Sequence, residues 1–181
     1  RGIGSFVIDR SSEVRAVHLT GSLDEFLATA HELLQHVISM EVVVAADNVC
    51  SAFGLAPGGN VLRVEVVSTR NGETVAHFEF FFRAEMADIL SSEDIADREP
   101  VIRVIERKTG TTIGRALQLI EPAVASPETA RHLGLEPGTP LLRARRQYFT
   151  MGGELVEIAQ AFYHPDRYRY EVELRARPQP V

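Results

Sequence analysis

Hydrophobic and polar positions alternate along two long stretches of the chain, and a glycine-containing turn interrupts each stretch. The first turn contains Asn71-Gly72 and the second contains Gly152-Gly153. Period-2 alternation is typical of strands, and an Asn-Gly or Gly-Gly pair between two such runs predicts a tight hairpin. We therefore expect two β-hairpins, with strands at residues 60–69, 74–83, 141–149 and 155–163.

Elsewhere the apolar residues recur every three or four positions, which is the spacing of amphipathic helices. Ser22 and Glu25 form a capping box at the start of a helix that we expect to reach Val37. Pro100 opens a second helix, which ends before Gly110. The other predicted elements are a strand at 1–8, a polar linker at 9–16, a short helix or turn at 84–90, and strands at 37–46, 111–125 and 167–176.

Two further short helices are each expected to end at a glycine. The first, which we expect Asp47 to cap, ends at Gly54, and the second starts at Ser126 and ends at Gly134. Phe-Gly-Leu-Ala-Pro-Gly at 53–58 matches Leu-Gly-Leu-Glu-Pro-Gly at 133–138, 80 residues later, and a strand and a hairpin follow each copy. We interpret this as a duplicated unit whose two copies share one sheet.

Hairpin strands with helices inserted between two halves predict an α+β fold built on an antiparallel sheet. The length of 181 residues suits one domain with a sizeable core. A net charge of −6 argues against this segment binding nucleic acid by itself, because phosphate binding needs a basic face. No apolar run reaches membrane-spanning length. The single cysteine, Cys50, fits a reducing cytoplasm, and we expect it to be a buried apolar residue.

The sequence contains no catalytic signature that we recognise. It has no Gly-x-Ser-x-Gly elbow, no phosphate loop and no His-x-x-x-His pair. We interpret His31 and His36 as ordinary helix residues, since no acid, cysteine or third histidine falls at ligand spacing. We therefore expect neither a cofactor nor a metal ion.

Polar residues on the second hairpin are the candidates for binding a ligand. They are Arg146, Tyr148, Glu157 and Tyr163, with Arg143 and Arg145 nearby. Arginine presents a planar fork that suits a carboxylate or phosphate, and glutamate accepts from hydroxyls or amines. Two interpretations remain open: these side chains contact a ligand, or Arg146 and Glu157 pair with each other across the sheet.

Aromatic residues on the first hairpin are a second candidate set. Phe78, Phe80 and Phe82 share one face of a strand, and Phe81 lies on the other. Core packing is the ordinary role of such a row, and a ligand-contacting wall is the alternative. Phe78 is the candidate for ligand contact.

Several motifs occur in the order and spacing of a known family. They are Leu133-Gly134-Leu135, Gly138, Pro140-Leu141-Leu142, Arg146, Tyr148, Val156-Glu157, Tyr163 and Asp166-Arg167-Tyr168, with Gly2-Ile3-Gly4-Ser5-Phe6-Val7 near the start. With these motifs the chain resembles the effector-binding (UTRA) domain of the HutC subfamily of GntR-type bacterial transcription regulators. The resemblance spans nearly the whole chain.

The resemblance implies a chorismate-lyase-like fold in which a small-molecule effector lies between the sheet and the inserted helices. It also implies a cytoplasmic, homodimeric regulator, a repressor, whose operator DNA is bound by an N-terminal winged helix-turn-helix domain. We expect residues 1–16 to be the junction and linker to that domain, and residues 17–181 to be the effector-binding and dimerisation domain. Arg1 would then not be the natural N-terminus.

The first hairpin departs from the family pattern. Val66 and Ser68 stand where many relatives carry Arg-x-Arg, and Phe78 stands where the family has an acid. Pro100-Val101-Ile102 replaces the Ser-Leu-Tyr of relatives that respond to sugar phosphates. These departures imply a pocket with an apolar first half, which disfavours a phosphosugar effector.

Two alternative functions remain. One is an enzyme resembling chorismate lyase, and the other is an interaction module without a ligand. The Gly-Ile-Gly-Ser-Phe-Val junction favours the regulator, because an enzyme has no need of it.

Overall fold

The structure is a computed structural model of the chain, and it describes residues 16–18, 23, 27 and 33–171. The strand at 1–8, the capping-box residues Ser22 and Glu25, and the tail after residue 171 lie outside these residues, as does most of the linker at 9–16. Leu23 and Leu27 are both helical, in agreement with the predicted helix. No helix among the described residues is long and apolar enough to cross a membrane.

The described elements follow the duplicated pattern. The strands are β1 (Ala16–His18), β2 (Leu34–Val44), β3 (Asn60–Arg70), β4 (Glu73–Arg83), β5 (Ile113–Val124), β6 (Pro140–Thr150), β7 (Leu155–Tyr163) and β8 (Arg169–Glu171). The α-helices are α1 (Asp47–Phe53), α2 (Ser92–Ile95), α3 (Val101–Thr109) and α4 (Pro127–Leu133), with a 3₁₀ helix at Ala84–Asp88.

Six strands form one antiparallel sheet in the order β2-β3-β4-β7-β6-β5, and β1 pairs in parallel with β8 apart from it. Both predicted hairpins are confirmed. The β3–β4 turn places Asn71 and Gly72 at φ values of 53° and 81°, the left-handed conformation that an Asn-Gly pair tolerates. The two halves, β2-α1-β3-β4 and β5-α4-β6-β7, meet where β4 pairs with β7.

The duplication is visible in the backbone hydrogen bonds. Leu55 N–H donates to the Cys50 carbonyl at 2.8 Å, and Leu135 N–H donates to the Ala130 carbonyl at 2.9 Å. Each helix therefore ends in the same left-handed glycine cap, with Gly54 at φ 66° and Gly134 at φ 70°. The repeated Gly-Leu-x-Pro-Gly motif thus encodes the same helix end twice.

The two faces of the sheet are covered by different helices. On one face, α2 and α3 pack over the aromatic row of β4, in which the Phe78 and Phe80 rings stack at 5.5 Å. On the other face, α1 packs beside Phe81 and Ile158, and α4 packs beside Leu141. Cys50 in α1 is buried, as expected. The predicted α+β fold with helices inserted between two halves is confirmed.

Two local predictions are wrong. Residues 34–37 were expected to end a helix, but β2 begins at Leu34 because this segment pairs with β3 from Thr69 onward. His36 is consequently a strand residue, and its Nε2 lies 3.1 Å from Thr69 Oγ1. Asp47 is the first residue of α1 rather than its cap, which is Ala46.

Candidate functional site

A cavity of about 100 Å³ lies between the sheet and the first turn of α3. Its lining combines apolar, aromatic and buried charged side chains. The lining residues are Leu27, Leu33, Gln35, Ser68, Phe78, Phe80, Pro100, Val101, Ile102, Arg146, Tyr148, Glu157, Ala159, Tyr163 and Tyr168. Five of the six predicted site residues are among them.

Strand register explains why the polar residues meet. Tyr148 lies opposite Glu157, and Arg146 lies opposite Ala159, in the β6–β7 pair. Successive side chains on a strand point to opposite faces, so these even-numbered β6 positions share the cavity face. Phe78 reaches the same cavity from β4, where it pairs with Ala161.

Arg146 is a buried cation in this cavity, with only 7% of its surface exposed. Its Nη2 donates to Tyr163 Oη at 2.7 Å, and its Nε donates to Gln118 Oε1. A guanidinium remains charged at all ordinary pH values, and these neighbours hold its plane in a fixed orientation. The cavity therefore presents a fixed positive charge.

Glu157 is still more buried, with 1% exposure. Among the described residues, its Oε2 has no hydrogen-bond partner. Burial raises the pKa of Glu157 to about 8, although the Arg146 charge acts in the opposite direction. The carboxyl is therefore protonated at pH 7. The described hydrogen bonds and ion pairs do not include a direct contact between Arg146 and Glu157, which was the alternative interpretation.

The aromatic residues form one side of the cavity. The Tyr163 ring meets Phe78 edge-on at 6.1 Å and stacks on Tyr168 at 3.6 Å. Burial raises the pKa of Tyr148, so its hydroxyl stays neutral and can donate. The aromatic row thus contributes to the core and also faces the cavity at Phe78 and Phe80.

Arg143 does not line the cavity, which corrects the expectation for this residue. It is three positions from Arg146 on the same strand and therefore points to the opposite face. There its Nη2 donates to Glu121 Oε1 at 3.0 Å, and Arg145 Nε lies 2.8 Å from the same oxygen.

Sequence reasoning missed three polar contributors to the site. Gln118 on β5 holds Arg146, and Tyr168 stacks behind Tyr163. Gln35 donates from β2 to the Glu99 carbonyl at 2.7 Å, next to Pro100 of the cavity lining. The predicted strand began at residue 37; a strand that began at Leu34 would have placed Gln35 in the sheet. No local sequence pattern indicates that Gln118 belongs to the site.

A partly open, mostly apolar cavity with a few converging polar groups defines the class of small-molecule-binding domains. The family model of the UTRA domain matches residues 29–169. The chain belongs to the UTRA domain family.

Relatives and solved structures support the assignment. The chain is 24% identical over 174 residues to the HTH-type transcriptional repressor NagR of Bacillus subtilis, covering 94% of this chain and 69% of that protein. It is 25% identical over 171 residues to the histidine utilization repressor of Pseudomonas putida, covering 94% and 67%. The fold matches the effector domain of PhnF from Mycobacterium smegmatis with a TM-score of 0.70, at 19% identity, covering 86% of this chain and 96% of that chain.

These similarities confirm the recognised family and its α+β fold. They place the chain among the ligand-sensing domains of transcription regulators and not among enzymes. The relatives therefore do not support the alternative that the chain is an enzyme resembling chorismate lyase.

Proposed function

We propose that the chain is the effector-binding and dimerisation domain of a cytoplasmic repressor of the HutC subfamily. In the whole protein, an N-terminal winged helix-turn-helix domain binds operator DNA, residues 1–16 connect to it, and residues 17–181 sense the effector. The observation that carries this proposal is the cavity beneath α3, with Arg146 and Glu157 buried in its wall.

The cavity chemistry favours a small carboxylate with an apolar body. Arg146 supplies a positive charge, and the protonated Glu157 supplies a donor in place of a repelling anion. Phe78 and Phe80 suit the apolar part. Among the described lining residues Arg146 is the only cation, which disfavours a doubly charged sugar phosphate.

The position of the cavity suggests how occupancy reaches the rest of the molecule. Pro100, Val101 and Ile102 line it from the first turn of α3, and Gln35 ties the preceding Glu99 carbonyl to β2. An effector that contacts this turn has different affinities for two positions of α3, which is the condition for coupling. Occupancy then shifts α3 relative to the sheet.

A ligand screen tests the proposed effector class. Short aliphatic and aromatic carboxylates, from butyrate to phenylacetate, are expected to raise the Tm of the protein, whereas glucosamine 6-phosphate is not. The measurement is a thermal-shift assay at pH 7. A ligand at 100 times its Kd stabilises by about 2.7 kcal/mol, or roughly 5–10 °C for a chain of this length. Strong stabilisation by the sugar phosphate alone would contradict the assignment.

Homodimer formation is proposed through the edge strand β5. This strand has 12 residues, and its Leu117 and Leu119 are each 49% exposed on the same face. A long edge strand with exposed apolar side chains favours association with another chain. A symmetric pairing of two copies also suits a regulator that reads a two-fold operator.

Charge placed on this strand tests the dimer. The double substitution Leu117→Glu and Leu119→Glu is expected to convert a micromolar dimer into monomers, because four buried carboxylates would oppose one another across the interface. Light scattering coupled to size exclusion measures the mass. Val42→Glu, at a 49% exposed position of the other edge strand β2, is the matched control and leaves the dimer intact. A monomeric wild type would refute the proposal.

A further inference from the structure

A second polar cluster lies on the face of the sheet opposite the cavity. It consists of Glu65 on β3, His77 on β4 and His132 on α4, and one potential ligand atom from each lies within 4.8 Å of the other two. Glu65 and His77 are nearly inaccessible, at 4% and 1% exposure. The side chain of His132 is 15% exposed, which leaves a route from solvent.

We propose that Glu65, His77 and His132 form a binding site for a divalent transition-metal ion, with Zn²⁺ as the best match. Two imidazoles and one carboxylate are ligands that Zn²⁺ accepts, and a water molecule can complete a tetrahedral set. Hard ions such as Mg²⁺ prefer oxygen ligands and octahedral geometry, so they fit this donor set poorly.

The distances already approach those of a coordinated ion. His77 Nε2 lies 2.7 Å and His132 Nε2 lies 3.3 Å from Glu65 Oε1. Bonds of 2.0–2.2 Å in a tetrahedral site separate neighbouring donor atoms by about 3.4 Å. A bound ion therefore requires the Glu65–His77 contact to open by less than an ångström and the two histidine nitrogens, which lie within 4.8 Å of each other, to sit at a similar spacing.

Neighbouring residues orient the carboxylate for this role. Ser39 Oγ donates to Glu65 Oε2 at 3.3 Å, and Arg63 Nη2 lies 3.6 Å from the same oxygen. Glu65 Oε1 is thereby directed between the two imidazoles. Outer hydrogen bonds of this kind fix the ligands of metal sites.

Both imidazoles present Nε2 to the same carboxylate oxygen, Glu65 Oε1. The other ring nitrogen of His77, Nδ1, is buried without a hydrogen-bond partner among the residues that the structure describes, and it takes no part in the proposed coordination.

Nearby charges also favour a cation. Arg63 lies within 4.0 Å of Glu41, Glu65, Glu79 and Glu128, so one guanidinium faces four carboxylates. A second guanidinium, that of Arg131, lies 3.4 Å from His132 Nε2 through its Nη2. This contact is exposed, and a bound ion would displace it.

The duplication shows that the fold does not require these residues. The cluster joins the first hairpin to α4 of the second half, and the equivalent positions are Arg145 and Ile158 on the second hairpin and Ala52 on α1. Ile158 and Ala52 lie in or against an apolar cluster. Buried polar groups cost stability relative to such packing. Their presence at only one of the two equivalent places in the fold therefore favours a specific role over a general structural one.

Metal titration of the full chain tests the site. After dialysis against EDTA and then against chelator-free buffer, ZnCl₂ at 100 times its Kd should raise the Tm by roughly 5–10 °C, and MgCl₂ should not. Isothermal titration should give one Zn²⁺ per chain. An unchanged Tm with Zn²⁺ at 100 μM would overturn the proposal and leave a hydrogen-bonded Glu–His cluster only.

Three variants assign the binding to these residues. His132→Ala, which introduces the residue found at the equivalent position 52, should weaken Zn²⁺ binding at least tenfold, and Glu65→Gln should do the same. Arg131→Ala should tighten binding, because a competing cation is removed. His36→Ala on β2 is the matched histidine control and should bind like the wild type. Equal Zn²⁺ affinity in the wild type and His132→Ala would refute the assignment.

Discussion

Replacing Arg146 with alanine is expected to weaken binding of a carboxylate effector by roughly thirty- to a thousand-fold. The loss of one charge-assisted contact in a desolvated pocket corresponds to about 2–4 kcal/mol. Arg146 is 7% exposed and is held by hydrogen bonds to Gln118 and Tyr163. Because the site is buried, a surface side chain cannot replace the contact that Arg146 makes with the ligand. The best carboxylate from the ligand screen, titrated calorimetrically into the wild type and the variant, measures the change.

Arg143→Ala is the matched control for this experiment. It removes an arginine from the same strand, but one that faces away from the cavity and pairs with Glu121. Effector affinity should stay within a factor of two of the wild type. Arg146→Lys separates charge from geometry, because lysine keeps the charge but not the planar fork. If Arg146→Ala and Arg143→Ala bound the effector equally well, the proposed anchor would be wrong.

Local signals in the sequence were sufficient for most of the fold. The Asn71-Gly72 turn and the period-2 runs around it defined a hairpin without any knowledge of distant contacts. The repeated helix end at Gly54 and Gly134 then implied that the second half follows the first. Residues 34–37 show where such signals fail: their apolar spacing suits a helix, but pairing with β3 makes them a strand.

The alternation of side chains along a strand predicted only those parts of the candidate site that lie on one hairpin. Tyr148 and Glu157 were placed together correctly because one hairpin contains both. Counting along the strand would also have separated Arg143 from Arg146, since positions three apart face opposite sides. Gln118 was not predictable in this way, because the register of β5 on β6 brings it to Arg146 across 28 residues.

The cluster of Glu65, His77 and His132 was even less predictable from the sequence than Gln118. Its three residues are spread over two strands and a helix, and none of them falls at a recognised ligand spacing. The packing of α4 on the first hairpin brings His132 to the other two. Only the tertiary structure could reveal it.

The stability of the protein is expected to fall as the pH rises from about 4.5 to 8, because of Glu157. A carboxyl whose pKa is about 8 in the folded protein and 4.5 in the unfolded chain binds its proton more tightly when folded. Below pH 4.5 both states are protonated and Glu157 carries no penalty. Well above pH 8 both are ionised, and the buried charge costs roughly 5 kcal/mol, because each tenfold difference in proton affinity between the two states corresponds to about 1.4 kcal/mol.

Glu157→Gln should remove this pH dependence, since the amide resembles the protonated acid at every pH. The variant should be more stable than the wild type by about 4 kcal/mol at pH 8, and the difference should shrink towards zero near pH 4.5. Urea unfolding between pH 4.5 and 8.5 measures both curves. Glu154→Gln, at an exposed position on the same hairpin, controls for the loss of one surface charge and should change the free energy of unfolding by less than about 0.5 kcal/mol. Parallel curves for the wild type and Glu157→Gln would mean that Glu157 is already ionised in the folded protein, and the site would then favour a cationic ligand group over a carboxylate.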